Sequence, residues 1–275
     1  MVDNVPILID DQKSLFSAND ILERMAKGAP TGSWVRTAMR ILPQLDSNLK
    51  AARNYDLFRQ RVLDVCARPV ILVVGGRIAG RGIDRLITDP ALTLVETDIA
   101  LGPRTNLVCD AHNLPFQDGS IDGVIIQAVL EHVVDPFLCV EEIHRVLAAD
   151  GVVYAETPFM QQVHGGQYDF TRFTFLGHRR LFKKFEQYEA GATGGPGSVL
   201  AWSYLYLLLS LVKKRRARMV VHGFARLTGF WMKYLDYPLI DRSQTLDAAS
   251  GYFFLGRKSQ SVISDRDLLK LYPNS

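Results

Sequence analysis

The chain has 275 residues, of which 48% are hydrophobic and 22% charged, so it can bury a substantial core and is not a fibrous or disordered sequence. The net charge is only +3, yet residues 192–260 carry ten Lys or Arg against three Asp, a local charge of +7. This distribution predicts a local contact with something anionic and argues against a protein that coats nucleic acid. The three cysteines are far apart, and the N-terminus has acidic residues that are atypical of a signal peptide. We therefore expect a cytoplasmic protein without a disulfide framework.

The first 68 residues have helical character. Capping and breaking residues predict helices over 17–25, 34–42 and 49–66. We interpret this region as an N-terminal helical extension that packs on a sheet, and a lid over a ligand site is the alternative. No motif in the segment decides between the two.

From residue 69 onward, apolar runs of strand length alternate with helical patterns, which is typical of parallel β-α-β units. We expect an α/β fold with a doubly wound, mostly parallel seven-stranded sheet. The chain divides into an N-terminal extension (1–68), an α/β core (69–190), a helical insertion (191–250), and a closing strand with a tail (251–275). The predicted strands are 70–74, 92–97, 107–109, 123–127, 151–156, 185–190 and 251–258.

Glycines and acids follow the first three predicted strands of the core. The first strand runs directly into Gly75 and Gly76, with Gly80 a few residues later. A glycine turn after a strand lets backbone N–H groups approach a ligand. Asp98 follows the second strand, 23 positions after Gly75, where a carboxylate can accept hydrogen bonds from a ribose diol. Asp110 follows the third strand, so the pattern predicts a nucleoside ligand.

Residues 70–190 resemble the class I S-adenosylmethionine-dependent methyltransferases. The similarity lies in VILVVGG, VETDIA, CDAHNLPFQDGSIDGVIIQAVLEHV and EIHRVLAADGVVYAETP. The resemblance implies that the cofactor is S-adenosylmethionine and that the chain is a methyltransferase. It further implies that glycines border the methionine moiety, Asp98 the ribose and Gln127 the underside of the methionine. The implied methionine-side glycines are Gly75, Gly76 and Gly80, and the implied adenine contacts are Asp110 and Ala111.

Two other functions fit parts of the same loop. The spacing of Gly76, Gly80 and Gly82 is also that of short-chain dehydrogenases, but no tyrosine here has the lysine four positions later that their acid chemistry requires. Val73 and Arg77 stand where the methyltransferase pattern commonly has an acid and a glycine. A catalytically silent scaffold or regulatory protein is therefore a second alternative.

A polar loop after the fifth core strand is the candidate acceptor site. Methyl transfer to a hydroxyl benefits from a base, and we predict His164 and Asp169 as the catalytic pair. Tyr168 and Arg172 are the predicted substrate contacts. The alternative is a structural Asp169–Arg172 pair beside an ordinary loop histidine. The six histidines show no HxH or HxxxH spacing, so we expect no metal site.

The insertion contains an apolar run at 199–212, a basic cluster at 213–218 and a second apolar, aromatic segment at 224–239. A mostly apolar run of fourteen residues is too short to span a bilayer, but such a helix beside basic residues can lie on an anionic membrane. Peripheral contact of 199–239 with the inner face of a membrane is one interpretation. A helical hairpin packed over the sheet, or a homodimer interface, is the other. The acceptor is then a small molecule, a saccharide or a lipid-linked compound.

Overall fold

The computed structural model describes residues 1, 4–17, 19 and 42–273. Within these residues, eight strands form one sheet in the order β1-β4-β3-β2-β5-β6-β8-β7. The strands are β1 (Ile7–Leu8), β2 (Val70–Val74), β3 (Thr93–Asp98), β4 (Leu107–Cys109), β5 (Ile121–Gln127), β6 (Leu147–Pro158), β7 (Phe185–Gly194) and β8 (Gly251–Lys258).

The strand directions confirm the doubly wound α/β fold. Strands β1 to β6 pair in parallel, and β8 runs antiparallel to both β6 and β7. The chain moves outward from β2 through β3 to β4, then returns to β5 on the other side of β2. Ligands of such sheets bind in the crevice where the winding reverses, which here lies at the carboxyl ends of β2 and β5.

Helices cover both faces of the sheet because its central strands are apolar on both sides. Leu72 and Val74 of β2 face a core that includes the helix Pro136–Val146, while Ile71 and Val73 face a second core that includes the helices Ala51–Val65 and Asp84–Ile87. The described helices are α1 (Ala51–Val65), α2 (Asp84–Ile87), α3 (Pro136–Val146), α4 (Phe175–Leu181), α5 (Pro196–Ser210), α6 (Arg215–Gly229) and α7 (Asp265–Leu269).

The N-terminal region differs from its predicted all-helical character. Residues Ile7 and Leu8 form an eighth strand, which pairs in parallel with Val108 and Cys109 of β4. The prediction of a helix at 49–66 corresponds to α1, which packs on the sheet through Tyr55, Phe58 and Val62. The predicted helices at 17–25 and 34–42 lie almost entirely outside the described residues.

The insertion forms a helical unit with its own small core. Ala201, Leu205 and Leu209 of α5 pack there against Ala225 of α6 and against Leu45. The second predicted helix, 224–239, is placed differently: α6 already begins within the basic cluster and ends at Gly229, and a 3₁₀ helix follows over Phe230–Asp236. None of the described helices is long and apolar enough to cross a bilayer.

The C-terminal tail packs on the rest of the fold. It contains α7, and the Leu268 side chain of α7 is buried. Tyr272 packs against the cluster around Phe175 and Tyr252. The tail therefore covers α4 and the start of β8.

One buried carboxylate joins the two halves of the insertion. Asp236 accepts hydrogen bonds from Gly197 N at 2.7 Å, Ser198 N at 3.0 Å and Ser198 Oγ at 2.6 Å, and it is fully buried. The N-cap residue of α5 is Gly195, whose position offers no side-chain cap. Asp236 therefore satisfies the first N–H groups of α5 from a distant segment, and its negative charge suits a helix N-terminus.

We expect Asp236→Ala to destabilise the protein by about 2–4 kcal/mol, because two backbone donors and one hydroxyl lose their acceptor in a buried place. Urea denaturation measures the change. Asp241→Ala is the matched control: this carboxylate is 79% exposed and pairs with Lys50, so its loss should cost about 0–1 kcal/mol. Equal costs for the two variants would contradict the capping role.

Candidate functional site

Two adjoining cavities open at the carboxyl ends of the central strands. The first has a volume of about 400 Å³ and the second about 520 Å³, sizes that suit small ligands. Gly75, Ile78 and Ala128 line both cavities, so the two meet between the ends of β2 and β5. Ala128 adopts a positive φ of 55°, a strained conformation for a residue with a Cβ and one that clusters at functional sites.

The turn after β2 needs glycine where it borders the cavities. Gly75 has a φ of +79°, and a Cβ there would lie 2.3 Å from Val129 Cγ2. A Cβ on Gly80 would lie 1.9 Å from Gln127 Oε1. Gly76 sits behind the turn instead: its N–H donates to Thr97 O at 2.8 Å, and its α-carbon faces Glu96. Two of the three predicted glycines thus reach the cavities.

Asp98 reaches the first cavity from the end of β3. Its Oδ1 accepts from Ala100 N at 3.0 Å and its Oδ2 from Arg77 N at 3.4 Å. A carboxylate can accept about four hydrogen bonds, so both oxygens can still accept from a ligand. Burial raises the pKa of Asp98 above its usual range, since fixed backbone donors compensate only part of the desolvation.

Asp110 and Ala111 line the same cavity from the end of β4. The carboxylate of Asp110 accepts from His112 N at 2.9 Å, from His112 Nδ1 at 2.6 Å and from the hydroxyl of Ser14. Burial opposes ionisation here, but the hydrogen bonds from His112 and Ser14 outweigh it and lower the pKa of Asp110. Tyr168, predicted as a substrate contact, lines this first cavity and not the second.

A buried network forms the floor of the second cavity. Gln127 and Glu156 are direct partners in the β5–β6 ladder, and Gln127 Nε2 donates to Glu156 Oε2 at 2.6 Å. Asn48 Nδ2 and the hydroxyl of Tyr154 also donate to Glu156, and Tyr55 Oη donates to Gln127 Oε1 at 3.0 Å. Burial raises the pKa of Glu156. The sequence analysis missed Glu156, although its position at the end of a strand was a usable signal.

The predicted catalytic loop is held together by an ion pair. The two terminal nitrogens of Arg172, Nη1 and Nη2, donate to the carboxylate of Asp169. Asp169 Oδ2 also accepts from His164 N at 2.8 Å. The pairing with Arg172 lowers the pKa of Asp169 well below its usual range. His164 lines the second cavity, whereas Asp169 and Arg172 support the loop behind it. The catalytic roles of His164 and Asp169 stay predictions.

Residues that are distant in the sequence meet beside His164. The rings of His132 and His164 are 4.8 Å apart, and Glu131 lies next to both. The spacing of the histidines along the chain gave no sign of this group, and Glu131 was not predicted as a site residue. The carboxylate of Glu131 raises the pKa of His164.

Residues 79–155 match a family model described as a methyltransferase domain. A search of the curated proteins found no match. Among solved structures, a putative sarcosine dimethylglycine methyltransferase from Galdieria sulphuraria is 14% identical, with coverage of 76% of this chain and 87% of that chain and a TM-score of 0.48. Phosphoethanolamine N-methyltransferase 2 from Haemonchus contortus is 15% identical, with coverage of 90% and 61% and a TM-score of 0.49. The [4+2]-cyclase SpnF is 18% identical, with coverage of 76% and 82% and a TM-score of 0.44. These likenesses carry no information about substrate.

The raised pKa of Asp98 gives a prediction for the ligand-free protein. The folded state holds the Asp98 proton more tightly than the unfolded state, so folding stability falls as the pH rises from about 4 through the folded pKa. The amide introduced by Asp98→Asn cannot ionise, so the variant lacks this loss of stability. We therefore expect the melting temperature of Asp98→Asn, relative to the wild type, to rise between about pH 4 and pH 7.

Thermal denaturation of both proteins across this pH range measures the difference. Asp64→Asn is the control, because the Asp64 side chain is 68% exposed on α1 and lies far from the cavities. A difference between Asp98→Asn and wild type that stays constant with pH would contradict the raised pKa.

Proposed function

We propose that this chain, which carries a methyltransferase domain of the class I S-adenosylmethionine-dependent family, methylates a hydroxyl of a polar, lipid-linked acceptor. The observation that carries the proposal is the pair of adjoining cavities, one with nucleoside-type contacts and the other polar. Methyl transfer is an in-line displacement, so the main task of such a protein is to align two bound molecules. Two cavities that share three lining residues suit this task.

The residues of the first cavity, and those that line both cavities, fit the cofactor. The spare acceptor capacity of Asp98 suits the ribose hydroxyls, and Asp110 with Ala111 suits the adenine. The turn at Gly75, where a Cβ would collide with Val129, leaves room for the methionine end. When bound, the cofactor supplies a methyl group on a positively charged sulfur. The chain's own residues bind and orient this donor and keep its methyl group directed toward the second cavity.

The second cavity supports a polar acceptor. Its lining includes Asn48, Glu156, Gln161 and His164, which offer both donors and acceptors of hydrogen bonds. Such a lining suits a saccharide or another polyhydroxylated headgroup. His164 is the predicted base for the acceptor hydroxyl, and Asp169 holds the loop of His164 through its bond to His164 N.

Helix α5 supports the lipid link. Its Trp202 lines the second cavity. Leu200 and Leu207 lie on one face of α5 and are 51% and 62% exposed, and Leu211, directly after the helix, is 73% exposed. The acceptor cavity thus borders a helix whose outer side exposes three leucines next to Ser203 and Ser210. An acceptor with a polar head and a lipid tail matches this arrangement.

Helix α6 supports contact with a membrane surface. Val220, Phe224, Leu227 and Trp231 recur at helical spacing, and each is more than half exposed. We call these four residues the apolar stripe. The basic residues at 213–216, just before the stripe, are exposed as well. An apolar stripe next to basic residues suits an anionic bilayer surface.

The acceptor class is tested with tritiated S-adenosylmethionine and two extracts of the organism that encodes the protein, one of membrane lipids and one aqueous. We expect the label to enter a product that partitions into organic solvent. At subsaturating cofactor, Asp98→Asn should lower the rate by about 5- to 150-fold, equivalent to about 1–3 kcal/mol of lost hydrogen bonding.

Label in a water-soluble product alone would contradict the lipid link while retaining the methyltransferase. If neither extract is labelled and calorimetry detects no binding of S-adenosylmethionine, the silent scaffold is the correct interpretation. The Asp64→Asn variant again serves as the control for general effects of removing a carboxylate.

Membrane contact is tested by sedimentation with vesicles of phosphatidylcholine alone and of an equal mixture with phosphatidylglycerol. We expect binding to the mixed vesicles only, weakened by about 1 kcal/mol for each of Lys213 and Lys214 changed to Ala. Phe224→Ser with Trp231→Ser should abolish binding. Leu269→Ser is the control, because Leu269 is an exposed apolar residue (68%) on α7, outside the insertion.

If the stripe instead makes the wild type dimeric in the absence of vesicles, and the serine variant is monomeric, a second copy covers it and the membrane proposal is wrong. Sedimentation velocity of both proteins separates these outcomes.

A further inference from the structure

Three potential metal ligands converge where the two cavities meet. Glu131 Oε1 lies 3.7 Å from His132 Nε2 and 3.7 Å from His164 Nε2. One ligand atom of each residue lies within 4.8 Å of those of the other two. Glu131 and His132 follow β5, while His164 comes from the loop after β6, so the fold and not the local sequence creates the group.

The two carboxylate oxygens of Glu131 lack hydrogen-bond partners within the described part of the chain. The residue is also fully buried. An ionised carboxylate without a partner is costly to bury, and groups of this kind are normally paired or coordinate a metal. The two unsatisfied oxygens of Glu131 therefore indicate that a further partner binds at this place.

Both histidines direct the ligating nitrogen toward Glu131. His132 Nδ1 lies 2.7 Å from Tyr168 O, and His164 Nδ1 lies 3.3 Å from Gln162 O. A carbonyl oxygen only accepts, so these contacts favour the tautomer that carries its proton on Nδ1, in which Nε2 can ligate a metal. Metal-binding histidines are typically oriented in this way by a hydrogen bond from the other nitrogen.

The surrounding loop fixes these orientations. A Cβ on Gly165 would lie 2.5 Å from His132 Cε1, so glycine is needed for the close approach of the loop to the ring. The Asp169–Arg172 pair holds the same loop through His164 N. These contacts hold His132 and His164 in their positions beside Glu131.

We propose that Glu131, His132 and His164 bind a divalent transition-metal ion such as Zn²⁺, Mn²⁺ or Co²⁺. Imidazole and carboxylate ligands together suit this class of ion. Metal–ligand bonds of about 2.0–2.2 Å at tetrahedral angles place the ligand atoms about 3.3–3.6 Å apart. The Glu131 to histidine separations of 3.7 Å approach this range, and small side-chain rotations close the difference.

The site leaves coordination positions open toward both bound molecules. Glu131 and His164 line the second cavity, and His132 lines the first. Three protein ligands leave one or more positions for an external oxygen, as in catalytic metal sites.

The role of the ion rests on the proposed function. An ion held by Glu131, His132 and His164 would act as a Lewis acid that lowers the pKa of the acceptor hydroxyl, whose proton would leave to solvent. The oxygen lone pair then forms the new C–O bond while the carbon–sulfur bond breaks, and that electron pair stays on sulfur. The products are a methyl ether, S-adenosylhomocysteine and one proton. In this arrangement His164 acts as a ligand and not as a free base.

The test is a titration of the chelator-treated, full-length protein with CoCl₂, followed by visible absorption, together with calorimetry using ZnCl₂. We expect one ion per chain. Loss of a group that only orients a metal ligand costs about 10- to 100-fold in affinity, so loss of a ligand should cost at least that much. Glu131→Gln and His164→Ala should therefore weaken binding by on the order of 100-fold or more.

His144→Gln is the matched control, because His144 lies on α3 and contacts Ser259 O and Phe185 outside the site. His164 lies on a partly exposed loop, so its variant tests the proposal even if Glu131→Gln does not fold. The site is wrong if the wild type binds no ion at micromolar concentrations, or if both variants bind as tightly as His144→Gln. This readout requires neither cofactor nor acceptor, so a protein that binds the ion but methylates no lipid-linked acceptor would overturn the proposed function alone.

Discussion

One buried carboxylate, Glu156, holds together the elements that form the site. Its two oxygens receive hydrogen bonds from Asn48 before α1, from Gln127 on β5 and from Tyr154 on β6. Burying a carboxylate is favourable only if most of its lone pairs are satisfied, so the donors must keep their positions together. The network therefore fixes the relative positions of α1, β5 and β6. The network forms the floor of the second cavity, which Glu131 and His164 also line.

Much of the fold could be predicted from the sequence because the central strands are buried on both faces. The run Val70–Val74 is continuously apolar, and such a run is typical of a parallel strand. The glycine turn and Asp98 were predictable because ligand contacts of this fold follow the ends of the strands. Strand β1 was not predictable: two residues give no periodicity, and their place in the sheet depends on backbone pairing with β4.

The site was less predictable because its residues come together through tertiary contacts. His132 and His164 are 32 positions apart in the sequence, and only the crossover from β5 to β6 brings their rings together. Gly76 was predicted as a ligand contact because it is a glycine in the turn after β2. In the structure its α-carbon faces Glu96 and not a cavity. The sequence placed Asp169 and Arg172 correctly in one loop but left open whether they would pair, and the structure shows that they do.

The first cavity has one wall that does not belong to the sheet. Leu15 and Phe16 line it, and the preceding Ser14 donates its hydroxyl to Asp110. A ligand that hydrogen-bonds Asp110 uses the same carboxylate as Ser14. Ligand binding therefore changes the strength of the hydrogen bond between Ser14 and Asp110. The two events are thermodynamically linked, and linkage is reciprocal. The affinity of this cavity for such a molecule thus depends partly on the contact between Ser14 and Asp110.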